Sequence, residues 1–243
     1  MSEIKIGVNI DHVATLRQQR FTEYPDPLTT AILLEQVGVD SITIHLREDR
    51  RHIQDEDAKQ LKKLLRVPLN FEMAATQEMI EFAKELAPKY CCIVPEKREE
   101  LTTEGGLSLK DPSNLLIDGI HALSKISRVS LFIDPDRNAI ETAKQIGADA
   151  IELNTGKYAD AINQDTIDQE LDKIKESASY ARDLGLSVHA GHGLNYINVN
   201  RIASIHAIEE LNIGHAIVAR AIYDGLGRAF LSMKEICYEA RND

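Results

Sequence analysis

Eight short β-like runs recur along this chain, and helix-forming segments separate most of them. The runs are IKIGVNI (4–10), DSITIHL (40–46), VPLNFEM (67–73), KYCCIVP (89–95), ISRVSLFID (126–134), ADAIELN (148–154), GLSVHAG (185–191) and ELNIG (210–214). The segments between include EDAKQLKKLL, TQEMIEFAKEL and NQDTIDQELDKIKESASYARDL, all amphipathic and rich in helix formers. Gly38, Pro88, Gly147 and Gly185 punctuate helix ends. Such alternation builds a parallel α/β sheet. Eight repeats in 243 residues fit a closed (β/α)8 TIM barrel, which takes about 250. The rival, an open doubly wound sheet, wants a Gly-rich turn after its first strand. NIDHVATLRQQR stands there instead, with no G-x-G-x-x-G. No Pro- or Ser-rich linker divides the chain, so one catalytic barrel domain over residues 1–243 is expected.

Successive strand side chains point to opposite faces. Ile4, Ile6, Val8 and Ile10 oppose Gly7, Asn9 and Asp11; Ile42, Ile44 and Leu46 oppose Ser41, Thr43, His45 and Arg47. Leu69, Phe71 and Met73 oppose Asn70 and Glu72. Ile151 and Leu153 oppose Glu152 and Asn154, Leu186 and Val188 oppose Ser187 and His189, and Leu211 and Ile213 oppose Asn212. YCCIV gives no clear assignment. In a barrel the apolar face must meet the helices, which leaves the polar one pointing at the axis. Burying such groups unpaired costs about 1–3 kcal/mol each. They must therefore form a network, hold water or bind a polar ligand. A solvated antiparallel sheet would alternate in the same way, but the intervening helices and the absence of tight hairpin turns oppose it.

Composition narrows the partners. A net charge of −11 argues against general nucleic-acid binding, although backbone N–H groups and one or two arginines can still hold a phosphate. No apolar stretch approaches the roughly 20 residues that span a bilayer, so no membrane role is expected. MSEIKIGVNI is short, charged and strand-like rather than a signal peptide. Three cysteines without C-x-x-C fit a reducing cytoplasm.

Barrel active sites lie at the C-terminal strand ends. Asn9, Asp11 and His12 follow the first strand, His45 and Arg47 the second, Glu72 the third, Gly191, His192 and Gly193 the seventh, and Gly214 and His215 the eighth. Histidines and a carboxylate converging on one mouth suit proton transfer near neutral pH. His121 and His206 lie outside this set and read as structural. His45, Glu72, His192 and His215 could also ligate a metal, yet no H-x-H or H-E-x-x-H pattern occurs, and none is expected. AGHGLNYINVNRI and NIGHAIVARAI place glycines where barrel enzymes often hold a phosphate. Arg17, Arg20, Arg47, Arg50, Arg51 and His52 mark either a second anion site or a solvated charged turn, since Glu48 and Asp49 sit among them. TTEGGLSL (102–109) reads as a lid hinged at a Gly pair or as a plain surface loop. Lys97 is placed for a Schiff base, with nothing to support a lowered pKa.

The segments NIDHVATLR, HLREDRRHI, NFEMA, VPEKREELTTEGGL, TGKYA, AGHGLN and ELNIGHAIVARA, in order from about residue 4 to 240, resemble the pyridoxine 5′-phosphate synthase family. The resemblance implies a (β/α)8 barrel with extra helices, assembled as a homo-oligomer, an octamer built as a tetramer of dimers. It implies condensation of 1-deoxy-D-xylulose 5-phosphate with 3-amino-2-oxopropyl phosphate to pyridoxine 5′-phosphate, inorganic phosphate and water, with no metal or organic cofactor. By the same resemblance His45 and Glu72 are proton acceptors and His192 a proton donor. Asn9 and Arg20 would contact the amino-ketone phosphate, and Asp11, His12, Arg47, His52 and Thr102 the sugar phosphate. Gly193, Gly214 and His215 would line phosphate-binding turns.

Three positions depart from the family's pattern. His189 stands where Asn is expected, Asn154 where His is often expected, and Phe21 where a small residue usually follows Arg20. If the sixth and seventh strands are neighbours, Asn154 and His189 would be an exchange between facing positions. Two other functions suit the same residues: a barrel isomerase or aldolase acting on one phosphorylated sugar, and a non-catalytic sensor of a phosphorylated ligand.

Overall fold

The computed structural model describes residues 3–96 and 105–242. Eight strands close into a parallel barrel in sequential order: β1 (Lys5–Asn9), β2 (Ser41–His45), β3 (Leu69–Met73), β4 (Tyr90–Ile93), β5 (Arg128–Ile133), β6 (Ala150–Asn154), β7 (Ser187–Gly191) and β8 (Glu210–Ile213). The helices are α1 (Asp11–Gln18), α2 (Pro27–Gln36), α3 (Asp55–Leu64), α4 (Gln77–Leu86), α5 (Asn114–Leu123), α6 (Arg137–Gln145), α7 (Gly156–Asp160), α8 (Gln164–Asp183), α9 (Val199–Ala203), α10 (His215–Asp224) and α11 (Leu226–Asn242). This is the expected (β/α)8 barrel, and its extra helices α1, α7 and α10 each start directly at a strand end.

Helix starts divide by position. Asp26, Thr76, Ser113, Asp136 and Asn163 each accept a backbone N–H at the head of α2, α4, α5, α6 and α8. The heads of α1, α7 and α10 have no side-chain cap. Gly38, Gly147 and Gly185 take positive φ just past α2, α6 and α8. The expected stop at Pro88 differs in detail: Ala87, with φ 47, closes α4 in the left-handed region, because the residue before a proline is barred from continuing the helix.

The apolar core is a ring between sheet and helices, where Ile6, Val8, Ile42, Ile44, Phe71, Leu131, Ile151, Val188 and Leu211 are fully covered. The barrel interior is polar. Ser41 Oγ donates to Glu210 Oε1 at 2.7 Å, and Thr43 Oγ1 to Asn212 Oδ1 at 3.2 Å. Both bonds join β2 to β8 across β1, which is possible only because Gly7 leaves the way open. A Cβ there would overlap Asn212 Oδ1 and Ser41 Oγ. Asn212 Nδ2 reaches Glu152 Oε2 at 2.7 Å across β7, past Gly191. Gly7→Ala should break the two β2–β8 bonds and destabilise the barrel by about 1–3 kcal/mol; urea unfolding with an unchanged midpoint would contradict this.

The fourth strand resolves in register. Cys92 pairs with Glu72 and Ser130 and so faces inward, while Cys91 pairs with Phe71 and Val129 and faces the helices. Cys92, Val94 and Phe132 form a small apolar patch inside the polar barrel. The proposed exchange of Asn154 and His189 is corrected. β6 and β7 are neighbours, but Glu152 pairs with His189 and Asn154 with Gly191. The two residues stand two positions apart along the strands, about 7 Å, in different layers. Asn154 instead donates to Asp134 Oδ1 at 2.9 Å and accepts from Gly156 N–H, fixing the start of α7.

Candidate active site

Strand alternation puts His45, at the end of β2, beside Glu72 on β3: the two are register partners and point the same way. Asp11 supports this corner. Its Oδ1 accepts from the His45 backbone N–H at 2.9 Å, and its Oδ2 from Asn9 Nδ2 at 2.9 Å. Glu72 keeps some surface open to the chamber, yet barrel atoms crowd it. That desolvation, with the nearby charges of Glu152 and Asp11, pushes its carboxyl well above the usual range. Glu152, on β6, is pushed up to about 7, mainly by burial and also by Glu210, although the Asn212 bond opposes the rise. Burial thus favours the protonated form of both inward carboxyls, and the charge of Glu152 adds to the effect on Glu72.

Three histidines at the mouth are biased toward the neutral form. His192 lies just past β7 at φ 82, its ring 6.3 Å from Phe132, and burial lowers its pKa against the opposing pull of Asp160. Thr155 Oγ1 donates to the carbonyls of Gly191 and His192 and holds this unusual backbone. His12 is lowered by burial and by His215, whose ring is 4.8 Å away. His12 Nδ1 is buried with no hydrogen-bond partner. His52 is lowered mainly by burial. It accepts the Ile53 N–H on Nδ1 at 2.8 Å, which leaves the proton of the neutral ring on Nε2.

Glycines line the far side. Gly193 has φ 74, and a Cβ there would press on Ala159. Gly214 leads into α10, whose first residue is His215, and a Cβ on it would stand 2.9 Å from Asn9 Cβ. The uncapped first turn of α10 therefore offers N–H groups at the mouth.

The arginine cluster divides. Arg17 is bidentate to Asp57 at 2.7 and 2.6 Å, Arg50 pairs with Asp55 and Glu78, and Arg51 pairs with Asp49. Arg50 and Arg51 fit the charged-turn reading, while Arg17 makes a largely covered pair that ties α1 to α3. Arg47 is buried at the mouth, its Nε 3.5 Å from Glu96 Oε1. Arg20 is exposed just past α1 and makes no side-chain hydrogen bond or ion pair among the described residues. Phe21 follows it at φ 51, 88% exposed. A bulky residue is uncommon in the left-handed region, so this departure from the resemblance falls at a strained, exposed position. Thr102, Lys97 and the first part of the expected lid lie outside the described residues. Gly106, the second glycine of the pair in that segment, donates its N–H to Asp134 Oδ1 at 2.9 Å.

His121 and His206 are exposed and away from the mouth; His206 Nδ1 lies 3.4 Å from Arg241 Nη1. Among the described residues, no three His, Cys, Asp or Glu side chains are grouped to hold a metal ion. Among them also, no helix is long and apolar enough to cross a membrane.

One residue had no assigned place in the sequence reading. Glu96 Oε2 lies 3.3 Å from His45 Nε2, and its Oε1 accepts the Glu48 N–H at 3.0 Å. Once register turns Cys92 inward, the alternation through Val94 and past Pro95 arrives at Glu96, a step the unassigned YCCIV run did not give by itself.

Known proteins share this fold and this sequence. A phosphoribosyl anthranilate isomerase from Thermus thermophilus superposes with a TM-score of 0.60 at 14% identity, covering 95% of this chain and all 100% of its own, a likeness of fold alone. Two chains named pyridoxine 5′-phosphate synthase are much nearer in sequence. That of Blochmanniella pennsylvanica is 53% identical over 242 residues, covering 99% of both chains. That of Legionella pneumophila strain Corby is 50% identical over 240 residues, covering 98% of this chain and 97% of its own. The model of the family described as pyridoxal phosphate biosynthesis protein PdxJ matches residues 6–239, which run from β1 into α11 and include every mouth residue described above, and the chain belongs to that family.

Proposed function

We propose that this chain is a pyridoxine 5′-phosphate synthase. It condenses 1-deoxy-D-xylulose 5-phosphate with 3-amino-2-oxopropyl phosphate by acid/base catalysis within one barrel domain. The observation that carries the reading is the pairing of His45 with Glu72 on neighbouring strands, facing a polar interior that also holds Glu152. Building a pyridine ring from two ketones and an amine needs imine formation, loss of phosphate, loss of water and an aldol-type closure. Each step moves a proton, and a chamber with several acid/base groups serves them in turn.

His45 and Glu72 take protons, and His192 gives one. In the ligand-free chamber burial keeps His192 neutral; an arriving phosphate dianion opposes that, so His192 gains its proton together with substrate. Asn9 and Arg20 hold the amino-ketone phosphate, and Gly193, Gly214 and His215 line phosphate-binding turns, supported by the uncapped start of α10. Asp11, His12, Arg47, His52 and Thr102 hold the sugar phosphate. The buried, unpartnered Nδ1 of His12 suits a polar ligand. No metal or organic cofactor takes part. The enzyme is cytoplasmic and homo-oligomeric, built from dimers. Leu16, Phe21 and Tyr24, exposed along α1 and just beyond it, give a second copy apolar surface to cover.

Chelator-treated protein given both substrates should form the pyridine chromophore and release one phosphate per ring. Turnover of either substrate alone would favour an isomerase or aldolase, and binding without product a sensor.

A further inference from the structure

Glu96 deepens that reading. Its carboxylate is only 1% exposed yet touches three groups that belong to the mouth. Oε2 faces His45 Nε2 at 3.3 Å, Oε1 lies 3.5 Å from Arg47 Nε, and Oε1 also accepts the Glu48 N–H at 3.0 Å. A buried carboxylate is costly unless paired and hydrogen-bonded. Burial pushes this one up, but His45, the Glu48 N–H and Arg47 together outweigh it and hold the carboxyl below its usual range. It is therefore an anion at neutral pH, and an anion can only accept from His45. The Nε2 atom must then carry the proton, which leaves Nδ1 as the basic atom of the neutral ring.

We propose that Glu96 is the positioning residue of the proposed synthase reaction: it fixes the His45 tautomer with Nδ1 free to accept a proton, and it ties that base to the Arg47 that grips the sugar phosphate. When Nδ1 takes a proton from substrate, the imidazolium that forms stays paired with Glu96 through Nε2–H. The carboxylate thus stabilises the charged form and makes His45 a better base, the logic by which a buried acid serves a catalytic histidine elsewhere. Because Glu96 lies just past β4 and His45 ends β2, the link bridges the strands on either side of β3, which carries Glu72. A plain structural clamp between β4 and β2 would need none of this tautomer control.

The test starts with the wild-type protein. Nitrogen-15 histidine spectra, with His45 assigned by comparison with His45→Asn, should show its proton on Nε2. A proton on Nδ1 overturns the proposal, whatever any variant does and whether or not the synthase reaction is found. Glu96→Gln keeps the shape and removes the charge. Its kcat should fall about 10–100-fold, because the imidazolium formed in the step loses its anion. KM for the sugar phosphate should rise through Arg47. In a His45→Asn background, Glu96→Gln should cost kcat less than twofold. A Glu96→Gln protein with a lower melting temperature but unchanged kcat would make Glu96 a clamp and end the idea. Failure of wild-type protein to make the pyridine ring would end the synthase reading and leave the tautomer result standing on its own.

Discussion

Glu72→Gln should lower kcat about 10³-fold, within the range that general acid–base groups contribute, while the barrel stays folded. The substitution is nearly isosteric, and it removes a carboxyl that the barrel holds in an unfavourable place. Glu72 is crowded by its surroundings and faces the charges of Glu152 and Asp11, all of which disfavour its ionised form. A group so placed is a strong base once it has given up its proton, and its neighbour His45 in register can hold or pass that proton. An amide can do neither. The proposed function assigns binding to Arg47, Asp11, His12 and the glycine turns rather than to Glu72, so KM for both substrates should change only several-fold. Single-turnover kinetics would place the loss in the chemical steps, and circular dichroism would show whether the fold is intact. A folded Glu72→Gln enzyme within tenfold of wild type would remove Glu72 from the acceptor role.

The barrel was legible because its interior is polar. In β1, β2, β3, β6, β7 and β8, Ile, Leu, Val, Phe and Met face the helices while Asn, Ser, Thr, His or Glu faces the axis. That contrast could be read one strand at a time. Where the interior turns apolar it could not: Cys91 and Cys92 are the same side chain, and only the register with Glu72 and Ser130 turns Cys92 inward, beside Val94 and Phe132. Register also defeated the expected exchange of Asn154 with His189. A single sequence shows which residues share a face but not how far one strand is shifted against the next, and here the two fall in different layers.

Candidate residues at strand ends could be placed at the mouth for a similar reason: the end of a strand is visible in the sequence, and a barrel sends it to the mouth. His45, Glu72 and His192 follow from that alone. Arginines are harder, because their long side chains choose partners that spacing does not reveal. Arg17 turns to Asp57 and Arg50 to Asp55 and Glu78, and Arg51 pairs with Asp49. Glu96 was hidden by Pro95, which reads as the end of a strand although the inward alternation runs one step further.

Glu152→Gln should make the protein more stable in mild alkali and leave it nearly unchanged in acid. In the unfolded chain this carboxyl ionises near the usual 4.5, and in the folded barrel near 7. Between those two values the folded state keeps a proton that the unfolded state has lost. Stability therefore falls as pH rises from about 4.5 to 7 and levels off above that. The loss amounts to on the order of 3 kcal/mol for a shift of this size. An amide is neutral throughout and escapes it, and its oxygen can still accept from Asn212 Nδ2, the bond that now spans 2.7 Å across β7. The gap between variant and wild type, measured by urea unfolding, should thus open between about pH 4.5 and 7 and close in acid. The same substitution takes away one of the charges that raise Glu72, so the acidic limb of any turnover that depends on ionised Glu72 should move to lower pH. A stability gap independent of pH would mean that Glu152 is not held protonated by the barrel.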